Sequence, residues 1–169
     1  ECMDELPAQN RPTTRQEGYA IQALLESRSK HPIFGWKIAA TSSAGQSHIG
    51  VSGPMAGRLL RERTHSDGEK ISIDQCLMKV AEAEFAFRIK SDLPPKEKPY
   101  TVEEVLDAVG DLHPAMEIPD SRFSKFAEAG EAQLIADNAC AHEFVLGRST
   151  QNSWKTIDLI THSVELRAT

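Results

Sequence analysis

Apolar and polar positions fall into short blocks along the chain, and their period changes from block to block. Residues 80–87 read VAEAEFAF, a regular alternation. Period two places successive side chains on opposite faces of a strand. Glu82 and Glu84 then share one face, and Ala81, Ala83, Phe85 and Phe87 share the other. Thr14-Arg15-Gln16-Glu17 has the spacing of a capping box, a hydroxyl with a Glu three residues on. Ile21, Leu24, Leu25 and Arg28 follow at helical spacing, which predicts a helix with one apolar stripe, closed by His31-Pro32. Thr101-Val102-Glu103-Glu104 is a second capping box. It opens a predicted helix with Val102, Val105, Leu106 and Val109 on one face, closed by Leu112-His113-Pro114.

The remaining blocks are shorter. IFGWKIAATS reads as a strand with one lysine, Lys37, and GQSHIGVSGPMAGRLL as a Gly-rich loop with short strand pieces. EKISID is a short strand candidate, and SDLPPKEKPYT a loop with three prolines. HPAMEIPDSRF reads as a short strand running into a turn, residues 124–135 as a loop or short helix, and ADNACA as a helix turn. HEFVLG and SVELRAT read as strands, and residues 1–13 as a lead-in. Strands cluster and helices stand apart, a pattern of α+β, mostly β, architecture. The division expected is an N-terminal lead-in and helix over 1–34 and a catalytic β-rich domain over 35–169.

Composition narrows the function. The 169 residues suffice for one domain with a core, and the net charge of −6 argues against nucleic acid and anionic membrane surfaces as partners. No apolar stretch is long enough for a transmembrane helix, and ECMDELPAQN lacks a signal-peptide layout. Cys2, Cys76 and Cys140 are far apart with no C-x-x-C, so a reduced cytoplasmic protein with cysteines as small packing residues is expected. The start at Glu1 and the stop at SVELRAT are read as a piece of a longer polypeptide.

Two carboxylates on one strand face repel unless something positive lies between them. Carboxylates are hard oxygen ligands suited to Mg²⁺, Mn²⁺ or Ca²⁺. A third acid would complete the set. Glu117, between Met116 and Ile118 in PAMEIPD, is the best candidate, and Asp120 competes from beyond Pro119. Spacing alone equally fits a solvated strand face. Lys37 reads either as an edge-strand charge or as a buried amine ready for proton transfer. His31, His65 and His162 read as surface or turn residues, and His48, His113 and His142 as core or supporting ones. No His-based metal pattern, nucleophile elbow, P-loop or dinucleotide fingerprint is present.

Five stretches in one order, GWKIAATS, GVSGPMAGRLL, AEAEFAF, HPAMEIPDSRF and IADNACAHEFVLG, resemble the 2-keto-4-pentenoate hydratase group of the fumarylacetoacetate hydrolase superfamily. The resemblance runs from about residue 12 to the end. It implies a mixed β-roll or barrel core with peripheral helices, here without its C-terminal part. It implies Mg²⁺ or Mn²⁺ on Glu82, Glu84 and Glu117, Lys37 as catalytic residue, and Lys37 with Thr41 as substrate-binding residues. The activity it implies is addition of water to a 2-hydroxy-2,4-dienoate. Decarboxylation of 2-oxo-3-hexenedioate, C–C hydrolysis and a non-catalytic partner subunit are the alternatives. A small 2-oxo acid is the implied partner, in a homo-oligomer or beside a homologous pathway enzyme. One departure is visible: GVSGPMAG has no acid where many hydratases carry an Asp.

Overall fold

The computed structural model describes residues 2–150, 153–165 and 167. Four helices and six strands give an α+β fold, with helix and strand about equally represented among the described residues. Helix α1 (Arg15–Arg28) opens on the expected capping box: Thr14 accepts from the Glu17 amide, and Glu17 reaches back to the Thr14 amide. It ends at Arg28, before His31-Pro32.

The face that α1 buries is not its apolar stripe. Ile21 and Leu24 are exposed, whereas Gly18 and Gln22 are buried. The cause is close packing against α4 (Glu131–Ala136). A Cβ on Gly18 would lie 2.6 Å from the Ala132 carbonyl oxygen, so only glycine lets the two helices approach this far. Gln22 is fully buried because its amide donates to the Ala56 and Ile135 carbonyls, both at 2.9 Å. The N-terminal helix is thereby tied into the rest of the described chain.

Strands β1 (Gly35–Ala39) and β2 (Met55–Leu59) form an antiparallel pair in which Lys37 faces Gly57. Between them lies α2 (Ser43–Ile49), in the run expected to be loop. Ser42 accepts from the Gly45 amide at its start, and Gly50 closes it at φ 63°. The helix lacks an apolar stripe, so only its caps marked it. His48, expected inside, is exposed on its last turn.

A second sheet has the order β3-β6-β5-β4. Its members are β3 (Thr64–Ser66), β4 (Glu82–Ile89), β5 (Val109–Ile118) and β6 (Glu143–Leu146). β3 pairs with β6 in parallel, and the other pairs are antiparallel. EKISID (69–74) is not a strand; the short edge strand lies just before it. Helix α3 (Val102–Ala108) has its capping box but ends at Ala108, so Val109 begins β5 instead of completing a helical face. β5 runs ten residues, through Leu112-His113-Pro114, and is longer than the expected short strand. In SVELRAT, residues 163–165 and 167 are in no strand, and the rest lies outside the described residues.

ADNACA is a left-handed turn, not a turn of ordinary helix: Asn138, Ala139 and Cys140 have φ of 59°, 49° and 62°. Asn138 compensates the strain by pairing with both backbone groups of Arg58. Its Oδ1 accepts from the Arg58 amide at 2.7 Å, and its Nδ2 donates to the Arg58 carbonyl at 2.9 Å. A Cβ on neighbouring Gly57 would sit 2.4 Å from the Asn138 carbonyl oxygen, so glycine is required where this turn meets β2.

Two apolar clusters hold these layers. Met55, Leu134, Ile135 and Ala139 pack β2 against α4 and the left-handed turn. Val109, Leu112 and Trp154 form the other, and Phe87 meets Trp154 with ring centroids 5.6 Å apart. Among the described residues no helix is long and apolar enough to cross a membrane.

Candidate metal centre

The register of β4 against β5 sets the site. Glu82 pairs with Glu117 and Glu84 with Ala115, so directly opposed positions put all three glutamates on one sheet face. One carboxylate oxygen from each lies within 4.8 Å of the others. Glu82 and Glu84 are exposed on the edge strand, whereas Glu117 is 2 % exposed. Lys37 arrives from the other sheet, its Nζ 3.0 Å from Glu117 Oε1, with both side chains nearly buried. The site therefore sits where the two sheets meet. Thr41 is exposed beyond the end of β1.

The electrostatics are those of a crowded acidic centre. Burial pushes the Glu117 carboxyl up to about 7; Lys37 opposes the shift, while Glu82 and Glu84 reinforce it. Burial, then Glu82, also raises Glu84, against Lys37. Glu117 Oε1 is buried, and Lys37 Nζ, 3.0 Å away, meets it as an ion pair without saturating its capacity to accept. A buried carboxylate oxygen with spare capacity beside two more carboxylates is a group that could hold a hard divalent cation. Three such ligands leave coordination positions open for substrate oxygens or water.

The neighbouring acids and cysteines serve other ends here. Asp120, the competing acid, turns away: its Oδ1 accepts from the Leu77 and Met78 amides at 2.8 and 3.0 Å. Ser121 Oγ and the Arg122 amide donate to Asp137 at 2.7 and 2.9 Å, anchoring the DSR run to the left-handed turn. Cys140 adjoins Lys37 and Glu117, and burial drives its thiol up to about 12, which makes it inert packing. Cys76 is likewise buried, but Cys2 is exposed; none of the three is in a disulfide.

An acid does reach the GVSGPMAG loop, from a distant part of the chain. Glu131 Oε1 accepts from the Ser52 amide at 2.8 Å and from its hydroxyl at 3.0 Å, and Arg15 pairs with the same carboxylate. The 79-residue separation left no local signal for this contact.

The chain is similar to hydratases over most of its length. It is 35% identical over 150 residues to "2-keto-4-pentenoate hydratase" of Paraburkholderia xenovorans (strain LB400), covering 85% of this chain and 53% of that protein. It is 33% identical over 138 residues to "TodF product hydratase" of Pseudomonas putida (strain F1), covering 80% and 50%. The chain is thus similar to the 2-keto-4-pentenoate hydratase group. No family model matches it. Among solved structures, the group's fold is seen in 4-oxalocrotonate decarboxylase from Pseudomonas putida G7, complexed with magnesium and adipate. That match has a TM-score of 0.74 and 26% identity, and covers 86% of this chain and 55% of the other. The chain spans about half the length of the group members it matches.

Proposed function

We propose that the chain carries the metal centre of a hydratase that adds water to a 2-hydroxy-2,4-dienoate, giving a 4-hydroxy-2-oxo acid. The observation that carries this reading is the convergence of Glu82, Glu84 and Glu117 beside buried Lys37. The relatives' names supply the reaction class. Magnesium and calcium in the two decarboxylase structures support a divalent cation, Mg²⁺ or Mn²⁺ in this reading. Such a cation supplies Lewis-acid polarisation to the carboxylate and 2-oxo oxygens of the substrate.

The protein's own part follows from the geometry. Glu82 and Glu84, on an exposed edge strand, leave the face of the site accessible to a small 2-oxo acid. Glu117 must lose its proton to act as a ligand, and Lys37 favours that loss. Lys37 Nζ then serves as charge partner to the substrate carboxylate or as proton carrier at the 2-enol oxygen. Thr41, just past β1, is assigned to substrate contact. A fumarylacetoacetate hydrolase-like barrel that this chain fills only in part, with a catalytic domain over 35–169, a homo-oligomer and a cytoplasmic setting, completes the reading.

Decarboxylation of 2-oxo-3-hexenedioate is the second reading, favoured by the fold shared with 4-oxalocrotonate decarboxylase. The test is to incubate the protein with Mg²⁺ and 2-hydroxypenta-2,4-dienoate and weigh the product. A gain of one water is expected. Loss of CO₂ from the six-carbon dicarboxylate, with no hydration, would replace the hydratase by the decarboxylase. Turnover of neither would leave a non-catalytic partner subunit.

A further inference from the structure

We infer that Cys76, Asp120 and His142 form a second metal site, separate from the glutamate centre and selective for a borderline divalent ion of the Zn²⁺ class. One ligand atom from each of the three lies within 4.8 Å of the others. They come from three segments: the irregular stretch before β4, the turn after β5, and the residue before β6. No spacing rule could have joined them, since 44 and 22 positions separate them in sequence.

The donor set decides the metal. A thiolate, an imidazole and one carboxylate match zinc, whereas three carboxylates match magnesium. Zinc bonds of about 2.0–2.3 Å place tetrahedral ligand atoms about 3.3–3.8 Å apart, so the side chains need to close in by about 1.5 Å at most. Charge also balances, because thiolate and carboxylate neutralise a dication and the imidazole is neutral.

The surroundings hold the ligands in place. Asp120 Oδ1 accepts from the Leu77 and Met78 amides, so the carboxylate is oriented by the same segment that carries Cys76. Its own amide donates to the Cys140 carbonyl at 3.0 Å. Cys76 is 4 % exposed. Burial, then Arg63, lowers the His142 pKa, which keeps the ring neutral and its lone pair available. Asp120 and His142, but not Cys76, also line a cavity of about 240 Å³, which opens two of the three ligands to solvent. Burial, then Asp120, raises the Cys76 thiol, so metal uptake expels its proton to solvent.

Arg63 is the cation that touches His142, and Arg122 and Lys79 act on His142 and Cys76 through their charge. Arg63 Nη1 is 3.4 Å from His142 Nε2, long for a hydrogen bond, and the same nitrogen is tied more closely to Glu143. His65 Nε2 bonds the other Glu143 oxygen at 2.6 Å. Glu143 thus holds Arg63 and His65 and also lies 3.7 Å from His142 Nε2, so Arg63 is only a weak competitor of the ion for His142.

The experiment is a Co²⁺ titration of the metal-free full chain, with Co²⁺ standing in for Zn²⁺. A sulfur-to-cobalt charge-transfer band in the near ultraviolet is expected, because the three donors of the glutamate centre are carboxylates and the buried Cys140 beside them keeps its proton. Zn²⁺ should bleach the band and excess Mg²⁺ should not. Glu82→Gln should keep it, and Cys76→Ser, Asp120→Asn and His142→Ala should each lose or strongly weaken it. No band in the unaltered protein overturns the inference, as does a band that persists in Cys76→Ser. If Cys76→Ser does not fold, alkylation of the unaltered protein decides. Protection of Cys76 by Zn²⁺ supports the site, and equal labelling with and without Zn²⁺ refutes it.

Discussion

Glu117 is the residue on which the glutamate centre turns, because its charge is costly until something pays for it. Its carboxyl titrates near about 7 without metal, held up first by burial. A cation competes with that proton, so metal affinity should rise with pH through the same range. Between about pH 6 and about pH 8 the expected gain is about tenfold, from the fraction of Glu117 deprotonated at each pH. The raised Glu84 acts in the same direction. Calorimetric Mg²⁺ titrations at the two pH values read this directly; a flat affinity would contradict it. The sign for stability is opposite. A raised acid binds more protons folded than unfolded, so the metal-free protein should lose stability as pH climbs from the unfolded carboxyl value to beyond the folded one. Denaturant midpoints without metal should fall over that window, and Glu117→Gln, neutral at every pH, should flatten the fall.

At the scale of elements, local signals and distant contacts part company. Both capping boxes and the β4 alternation were legible because each is complete within a few residues. The same period-two rule located Glu82 and Glu84, and the apolar flanks of Glu117 marked it as needing a partner. Lys37 remained ambiguous until β1 was seen against β5, since spacing cannot tell an edge lysine from a buried one. Helix α1 was legible, but its facing was not: Ile21 and Leu24 point outward because Gly18, not a large side chain, sets the contact with α4. Opposite outcomes follow for two substitutions. Gly18→Ala should destabilise the fold by about 1–3 kcal/mol through overpacking. Leu24→Ala should change it by less than about 0.5 kcal/mol, because the residue is 56 % exposed. Urea unfolding of both variants tests the facing. A large loss for Leu24→Ala would mean that the stripe is covered in solution.

Across the whole molecule, the glutamate centre joins parts that share little else. One sheet brings Lys37, the other brings the glutamates, and the edge strand β4 has mostly exposed side chains. A cation shared by β4 and β5 would clamp that edge to the buried strand beside it. Binding to the folded state alone should add about 2.7 kcal/mol at a metal concentration of about one hundred times Kd. The gain should be felt locally as well as globally, with amide exchange slowing most in β4 and in its register partners on β5. Glu82→Gln separates clamping from general salt effects. Glu82 is exposed, so its replacement should leave the metal-free protein near its original stability while removing the Mg²⁺-induced rise in melting temperature and the slowed exchange. If Mg²⁺ stabilised this variant as much as the original chain, the cation would be acting elsewhere, and the three glutamates would be no more than neighbouring acids on one sheet face.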